Sequence, residues 1–163
     1  MVYLLGCNSK EKMNTPKPQY LRWVGDSVHK DSLDAPGFHA CNGDEQVLQY
    51  FNLGEGPVYE SEKPALVHRF TSNYQAPEGN SQSGMVRIRF VVNCGGKAGR
   101  FRIIQSDENY EPFEFDTSIT DQLLNITKSI ENWKIQYREE TPVDYYMYLV
   151  FKIRNGQITE ILP

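Results

Sequence analysis

The 163-residue sequence has only three cysteines and no excess of basic charge, and these shortages exclude several classes of protein. Its 21 acidic residues outnumber its 17 basic ones, and no basic stripe is visible. A nucleic-acid partner needs such a stripe, so none is predicted. The hydrophobic content of 39% and the charged content of 23% are those of a soluble globular protein, and the length allows one core.

Motifs of enzymes and metal sites are also missing. The histidines His29, His39 and His68 are scattered, and no cysteine belongs to a C-x-x-C pair. There is no P-loop, no G-x-S-x-G and no G-x-G-x-x-G that opens a helix. We therefore predict a non-enzymatic protein without a cofactor or a metal. The weaker alternative is an enzyme or metal site in the acidic stretch 107–116, which we interpret as a solvated loop.

What the sequence does contain is two strong strand patterns. In residues 84–92 apolar side chains alternate with Arg87 and Arg89, as in a strand with one buried apolar face. Residues 93–96 then supply a turn and residues 101–104 resume the strand, which predicts a β-hairpin. Phosphate binding by the Gly95-Gly96-Lys97 sequence is a weaker interpretation than a turn. The second pattern, in residues 141–163, is the longest strand signal in the chain.

Three helices are predicted from helical spacing. The first lies within residues 43–54, where Asp44 can cap it and Val47, Leu48 and Phe51 share a face. The second spans residues 61–73, with Ser61 as its cap. The third opens at Thr117 or Ser118 with a Ser118–Asp121 capping box and covers the sheet. Its apolar face comprises Ile119, Leu123, Ile126, Ile130 and Trp133.

The start of the chain resembles a bacterial lipoprotein signal. Leu4-Leu5-Gly6-Cys7 is similar to a lipobox, although the apolar run before Cys7 is shorter than a signal-peptide core. We expect that the recorded start lies too late and that Cys7 carries lipid, with residues 1–19 as signal and polar tether. A short apolar start on a soluble protein remains the alternative.

The other two cysteines, Cys41 and Cys94, have two open interpretations. In an oxidising compartment they can form a disulfide that closes a loop of about fifty residues and stabilises the fold by about 4 kcal/mol. The alternative is a pair of free thiols.

Residues 83–163 resemble the C-terminal domain of TonB, which links an inner-membrane motor to outer-membrane transporters in bacteria. The resemblance rests on the strand G-x-V-x-I-x-F-x-V of residues 84–92, the glycine turn, the strand 101–106, the Asn132-Trp133-Lys134 sequence and the final F-K-I-R-N-G-Q-I-T-E-I of residues 151–161. Residues 57–66 are similar to a segment that precedes this domain in relatives from Bacteroidetes-type bacteria. Residues 20–82 are then an N-terminal extension with two helices that pack on the domain.

The resemblance implies an α+β fold in which an antiparallel three-stranded sheet packs on helices and the last strand is an exposed edge. That edge would bind an extended peptide of a TonB-dependent transporter, or of another envelope protein, by β-strand addition. The implied partner-binding residues are Asp144, Tyr145, Tyr146, Met147, Tyr148, Leu149, Val150, Phe151 and Lys152. The resemblance thus indicates a stand-alone, energy-transducer-like lipoprotein that faces the periplasm from the outer membrane. A domain that homodimerises through the same edge is the alternative.

Overall fold

The computed structural model describes residues 27–53, 62–131 and 133–162. They form a mixed α+β fold with one five-stranded sheet, a two-stranded ribbon and two α-helices. The strands are β1 (Leu48–Gln49), β2 (Gly84–Val92), β3 (Ala98–Ser106), β4 (Gln136–Arg138), β5 (Thr141–Val143), β6 (Tyr145–Arg154) and β7 (Gln157–Leu162), and the helices are α1 (Glu62–Asn73) and α2 (Thr117–Lys128). Cys7, the predicted tether, Ser61 and Asn132 lie outside the described residues.

The long strand β6 lies in the middle of the sheet. On one side it pairs antiparallel with β2 along nine residues, and β3 follows β2 antiparallel. On the other side β1 pairs parallel with the start of β6, and β7 pairs antiparallel with its end. The α+β class is confirmed, but a three-stranded antiparallel sheet is wrong because the chain adds β1 and β7.

The hairpin of β2 and β3 is confirmed, and its second strand starts earlier than predicted, at Ala98. The pairing shifts between Arg89 and Val91, which is a β-bulge. On the opposite strand Arg100 has a left-handed φ of 56°. A bulge bends and twists the strand locally and redirects the side chains beside it.

The helices cover one face of the sheet and close the main core. The helix predicted for residues 61–73 is confirmed from Glu62 onward, with Leu66 and Phe70 buried. From the sheet, alternate residues of β2 and β6 enter this core, as the period of two predicts. They are Val86, Ile88, Phe90, Val92, Tyr145, Met147, Leu149, Phe151 and Ile153.

Helix α2 starts at Thr117, one of the two predicted first residues, but its cap and its end differ from the prediction. The carboxylate of Asp116 accepts a hydrogen bond from the Ser118 N–H at 2.8 Å, so Asp116 is the cap. The Ser118–Asp121 capping box is therefore wrong, since Ser118 already lies in the first turn. Ile130 and Trp133 are buried as predicted, but they follow the helix, which ends at Lys128.

The helix predicted within residues 43–54 is wrong. The structure has a 3-10 turn at Asp44–Gln46, the strand β1 and a second 3-10 turn at Tyr50–Leu53. The Leu48 N–H donates to the Asp144 carbonyl oxygen at 2.9 Å, so the main chain pairs with β6 instead of with itself. Tertiary pairing overrides the local helical spacing here.

Strand β2 is buried on its second face as well, contrary to the single buried face that the alternation predicts. All nine residues of β2 are buried, including Arg87 and Arg89. The segment that begins at Ser27 supplies part of the cover, since Arg89 donates a hydrogen bond to the Ser27 hydroxyl and Arg100 donates one to the Ser27 carbonyl oxygen.

Two hairpins have loops of the same left-handed geometry but of different sequence. Asn155 and Gly156 connect β6 to β7 with φ values of 50° and 72°. They are the residue types that a tight hairpin with positive φ at both loop positions favours. Glu139 and Glu140 connect β4 to β5 with φ values of 50° and 68°. A side chain with a Cβ raises the energy of this conformation, so the second loop is strained.

Replacing the strained pair by Asn-Gly (E139N/E140G) is expected to raise the free energy of unfolding by about 1 kcal/mol, because the left-handed cost is removed. Urea denaturation at neutral pH measures the change. As a matched control, N155E/G156E places the unfavourable pair in the other hairpin and should lower stability. A loss of stability in E139N/E140G would contradict the assignment of strain.

Candidate functional site: the edges of the sheet

The strand that was predicted to accept a partner, residues 144–152, is not an exposed edge. Strand β2 covers one side of it, while β1 covers Tyr145 and Tyr146 and β7 covers the residues from Val150 onward. Among the described residues, only the stretch 147–149 has no strand on that side. The prediction of an exposed edge is therefore wrong for most of this strand, because the chain supplies its own neighbouring strands.

The side chains of the predicted binding strand are mostly buried. Lys152 is exposed and Tyr148 is half-buried. The Tyr145 hydroxyl donates to the Lys134 carbonyl oxygen at 2.8 Å, and burial raises the pKa of this phenol. The remaining residues are buried in the helix-side core or on the second face: Asp144, Tyr146, Met147, Leu149, Val150 and Phe151.

Asp144 is fully buried, and its carboxylate accepts hydrogen bonds from other segments of the same chain. One carboxylate oxygen accepts the N–H groups of Cys41 and Cys94, both at 2.9 Å. The other accepts the N–H of Asn42 at 2.8 Å and its side-chain amide at 3.2 Å. Charge-assisted bonds of this kind are about twice as strong as neutral ones. One carboxylate thus joins the N-terminal segment (residues 27–49), the β2–β3 turn and the start of β6.

Cys41 and Cys94 form a disulfide with 5.9 Å between their Cα atoms, one of the two alternatives that the sequence left open. The bridge spans 53 positions. Because Asp144 binds the main chain of both cysteines, the same junction is held by a covalent bond and by hydrogen bonds.

The same three residues do not make a metal site in this disulfide form. A sulfur of each cysteine and a carboxylate oxygen lie within 4.8 Å of one another. However, the sulfurs are bonded to each other, and both oxygens of Asp144 already accept N–H groups. A thiolate is the form of cysteine that binds a metal, so this cluster offers no ligand set.

Ion pairs fasten the N-terminal segment over the second face of the sheet. Arg102 binds both carboxylate oxygens of the buried Asp34, at 2.6 and 2.8 Å. Hydrogen bonding from Arg102 lowers the pKa of Asp34 to about 2. Arg100 forms a second ion pair with Asp44 at 2.8 Å. The segment is thus held by charge as well as by the disulfide.

The glycine turn uses its N–H groups internally, which argues against the phosphate site that the sequence left as an alternative. The Asn93 side-chain oxygen accepts the N–H groups of Gly95 and Lys97, both at 3.0 Å. The Gly96 N–H donates to the Asn93 carbonyl oxygen, and the Cys94 N–H donates to Asp144. A phosphate cradle needs such groups to point outward.

The turn also borders a cleft of about 730 Å³. The cleft lies over Trp133 and Ile135, and its charged residues are Lys97, Lys128 and Glu131. Its described lining contains no histidine and a single carboxylate, that of Glu131.

The outer side of β7 is an open edge of the sheet. Among the described residues, no strand pairs with that side. The far edge, β3, is partly closed where Ser106 bridges to Pro112. Strand β7 carries a bulge at Thr159 and an ion pair of Glu160 with Lys152 at 2.5 Å. Both features are typical of exposed edge strands.

The sequence contained a signal for this strand that the single-strand interpretation missed. Asn155-Gly156 between two alternating apolar runs is the strongest short-range indication of a hairpin. It divides the last stretch into β6 and β7 and places β7 outside β6.

Asp144→Ala is expected to lower the free energy of unfolding by about 3 kcal/mol, because three backbone N–H groups lose a charged acceptor. Urea denaturation of the oxidised protein measures the loss. Asp107→Ala is the matched control, since Asp107 accepts two N–H groups in an exposed loop and should cost less. Equal losses in the two variants would contradict the central role of Asp144.

Asp34→Asn is expected to lower stability at pH 7 by about 2 kcal/mol. Because the pKa of Asp34 is lower in the folded chain, the stabilisation is complete above pH 4 and disappears as the pH falls towards 2. The unfolding free energies of the two proteins, measured from pH 2 to 7, should therefore converge in acid. Asp31→Asn, at a fully exposed carboxylate, should leave the curve unchanged. A constant difference at all pH values would contradict the ion pair as the cause.

Comparison of the chain with protein-family models, with curated proteins and with solved structures finds no match. The resemblance to the TonB C-terminal domain therefore stays a prediction. None of the helices in the described part of the chain has the length and apolar character that a membrane span requires.

Proposed function

We propose that this chain is a non-enzymatic envelope lipoprotein with a TonB C-terminal-like domain that binds an extended peptide of a partner by β-strand addition. The open outer side of β7 is the observation that carries the proposal. The resemblance supplies the class of partner, a TonB-dependent outer-membrane transporter or another envelope protein. A lipid on Cys7 would hold the module at the outer membrane, facing the periplasm.

The accepting strand in this proposal is β7 rather than β6. In a hairpin with a two-residue loop, the flanking residues Arg154 and Gln157 form the hydrogen-bonded pair. The N–H and carbonyl groups of the next residue, Ile158, then point away from β6. An incoming peptide would pair with these groups, and its alternate side chains would lie along the two faces of the sheet.

The disulfide supports an envelope location. Structural disulfides persist in oxidising compartments such as the bacterial periplasm and are rare in the cytosol. The Cys41–Cys94 bridge fixes residues of the N-terminal segment to the sheet and therefore contributes to the fold. A protein with such a disulfide fits the periplasm, which is also where the proposed partner would be met.

The test uses synthetic peptides that cover the N-terminal segments of TonB-dependent transporters, with binding followed by fluorescence anisotropy. Ile158→Pro removes the outward N–H of β7 and should weaken binding at least tenfold, because proline cannot donate to a ladder. Ile158→Ala is the matched control: it shortens the same side chain, keeps the N–H and should bind within about threefold of the native chain.

Hydrogen–deuterium exchange on the native chain identifies the edge directly. Bound peptide should slow amide exchange in residues 157–162 and leave residues 98–106 unchanged. Equal binding by both Ile158 variants, or protection confined to β3, would contradict strand addition at β7.

A second candidate is a structural domain that homodimerises through the same edge. The open β7 favours it too, because two identical edges can pair about a two-fold axis and extend one sheet through both copies. Sedimentation at several concentrations distinguishes this role: a dimer of the native chain that Ile158→Pro converts to a monomer, without peptide binding, would support it.

A further inference from the structure

We propose that Asn42 is a site of spontaneous chemical modification. Its side-chain amide is lost by reaction with the main-chain nitrogen of Gly43, and the carboxylate that replaces it weakens the junction around Asp144. The only reactants are the chain itself and water. This inference concerns the N-terminal segment and does not depend on the proposed function at β7.

The reaction proceeds through a cyclic imide. The main-chain nitrogen of Gly43 loses its proton to water or hydroxide and forms a bond to Cγ of Asn42. The Cγ–Nδ2 bond breaks, and ammonia leaves. Water then opens the imide ring at either of its two carbonyl carbons, so that residue 42 becomes aspartate or isoaspartate. Asparagine is among the thermolabile residues, and a following glycine obstructs the attack least because it has no Cβ.

The surroundings of Gly43 leave room for this ring to close. Asn42 and Gly43 are both exposed. Apart from its chain neighbours, no heavy atom lies within 4 Å of the position that a Cβ on Gly43 would take. In the described part of the chain, no acceptor binds the Gly43 N–H. The attacking nitrogen is therefore accessible to the base that removes its proton.

The amide of Asn42 is held by two long hydrogen bonds. Its Nδ2 donates to a carboxylate oxygen of Asp144 at 3.2 Å and to the carbonyl oxygen of Pro142 at 3.3 Å. Both distances exceed the usual value of about 2.9–3.0 Å. Rotation of this one side chain breaks both bonds without any movement of the main chain. The electrophilic carbon can thus turn towards Gly43 while the fold stays intact.

The second Asn-Gly pair of the chain provides an internal comparison. The Gly156 N–H donates to the Gln82 carbonyl oxygen at 2.9 Å, and the Asn155 N–H donates to the Ser83 hydroxyl at 3.1 Å. Gly156 is buried, and a Cβ there would lie 3.1 Å from Asn80. Releasing the Gly156 nitrogen therefore requires the whole hairpin loop to move, and this pair is expected to react more slowly.

The product would disturb the junction that Asp144 holds together. The amide of Asn42 donates to Asp144, whereas a carboxylate at the same position has no proton to donate and carries a like charge. A buried charge is tolerated only while its hydrogen bonds are satisfied. Loss of the amide is therefore expected to loosen the hold of Asp144 on the N-terminal segment, although the disulfide remains.

Peptide mapping of the full oxidised chain tests the reaction. After incubation in a mildly alkaline buffer, reduction and trypsin digestion place the two Asn-Gly pairs on separate peptides, residues 31–63 and 155–163. Fragment ions then identify the deamidated residue. Asn42 should react about tenfold faster than Asn155 in the folded chain, because only the Gly156 nitrogen needs a local opening. In the reduced chain in urea, the two sites should react at similar rates.

Three variants test the consequence for stability. Asn42→Asp should lower the thermal midpoint by about 5 °C, whereas Asn155→Asp, the matched control, should change it by only about 1 °C. Asn42→Ala loses the same two hydrogen bonds but adds no charge, so its midpoint should lie between that of Asn42→Asp and that of the native chain.

Equal rates at the two sites in the folded chain, or a faster reaction at Asn155, would overturn the inference. The same rate ratio in the folded chain and in urea would also overturn it, because the structure would then not be the cause. An Asn42→Asp variant as stable as Asn42→Ala would contradict the repulsion from Asp144.

Discussion

The buried carboxylate of Asp144 is the constraint on which the rest of the structure depends. It receives N–H groups from residues 102 and 103 positions earlier in the chain and from the turn of the first hairpin. A buried charge is tolerated only when its hydrogen bonds are satisfied, so these segments must be in place together. The disulfide then makes the same arrangement covalent. The N-terminal segment consequently lies across the second face of the sheet and delivers β1 to the edge of β6.

This arrangement decides which edges of the sheet are available. A long apolar strand with free donors and acceptors is a template for unwanted pairing. Here the apolar strand β6 is flanked by β2 on one side and, except at residues 147–149, by β1 and β7 on the other, while the shorter and more polar β7 forms an outer edge. A bulge and an ion pair further restrict that edge.

The parts of the fold that local periodicity encodes were predictable from sequence. The alternation in β2, the turn at residues 93–96 and the helical spacing of α2 are local signals, and each corresponds to an element of the structure. Residues 43–54 also have a helical spacing, but pairing with a strand almost a hundred residues away replaces the helix. The Asp34–Arg102 ion pair joins positions 68 apart and leaves no local signal. The position of β6 within the sheet likewise depends on its pairing with β1 and β7. The alternation of side chains along β6 does not indicate which strands will pair with it.

Because β2 is buried on both faces, a shorter fragment of this protein would expose groups that the longer chain covers. A fragment starting at Ser83 would retain the hairpin and α2, but it would expose the guanidinium groups that Asp34 and Asp44 neutralise. It would also leave Cys94 as an unpaired thiol and Asp144 without two of the main-chain donors that it needs. In the described part of the chain, contacts with the sheet therefore reach back to Ser27, and a fragment without residues 27–49 is expected to be less stable.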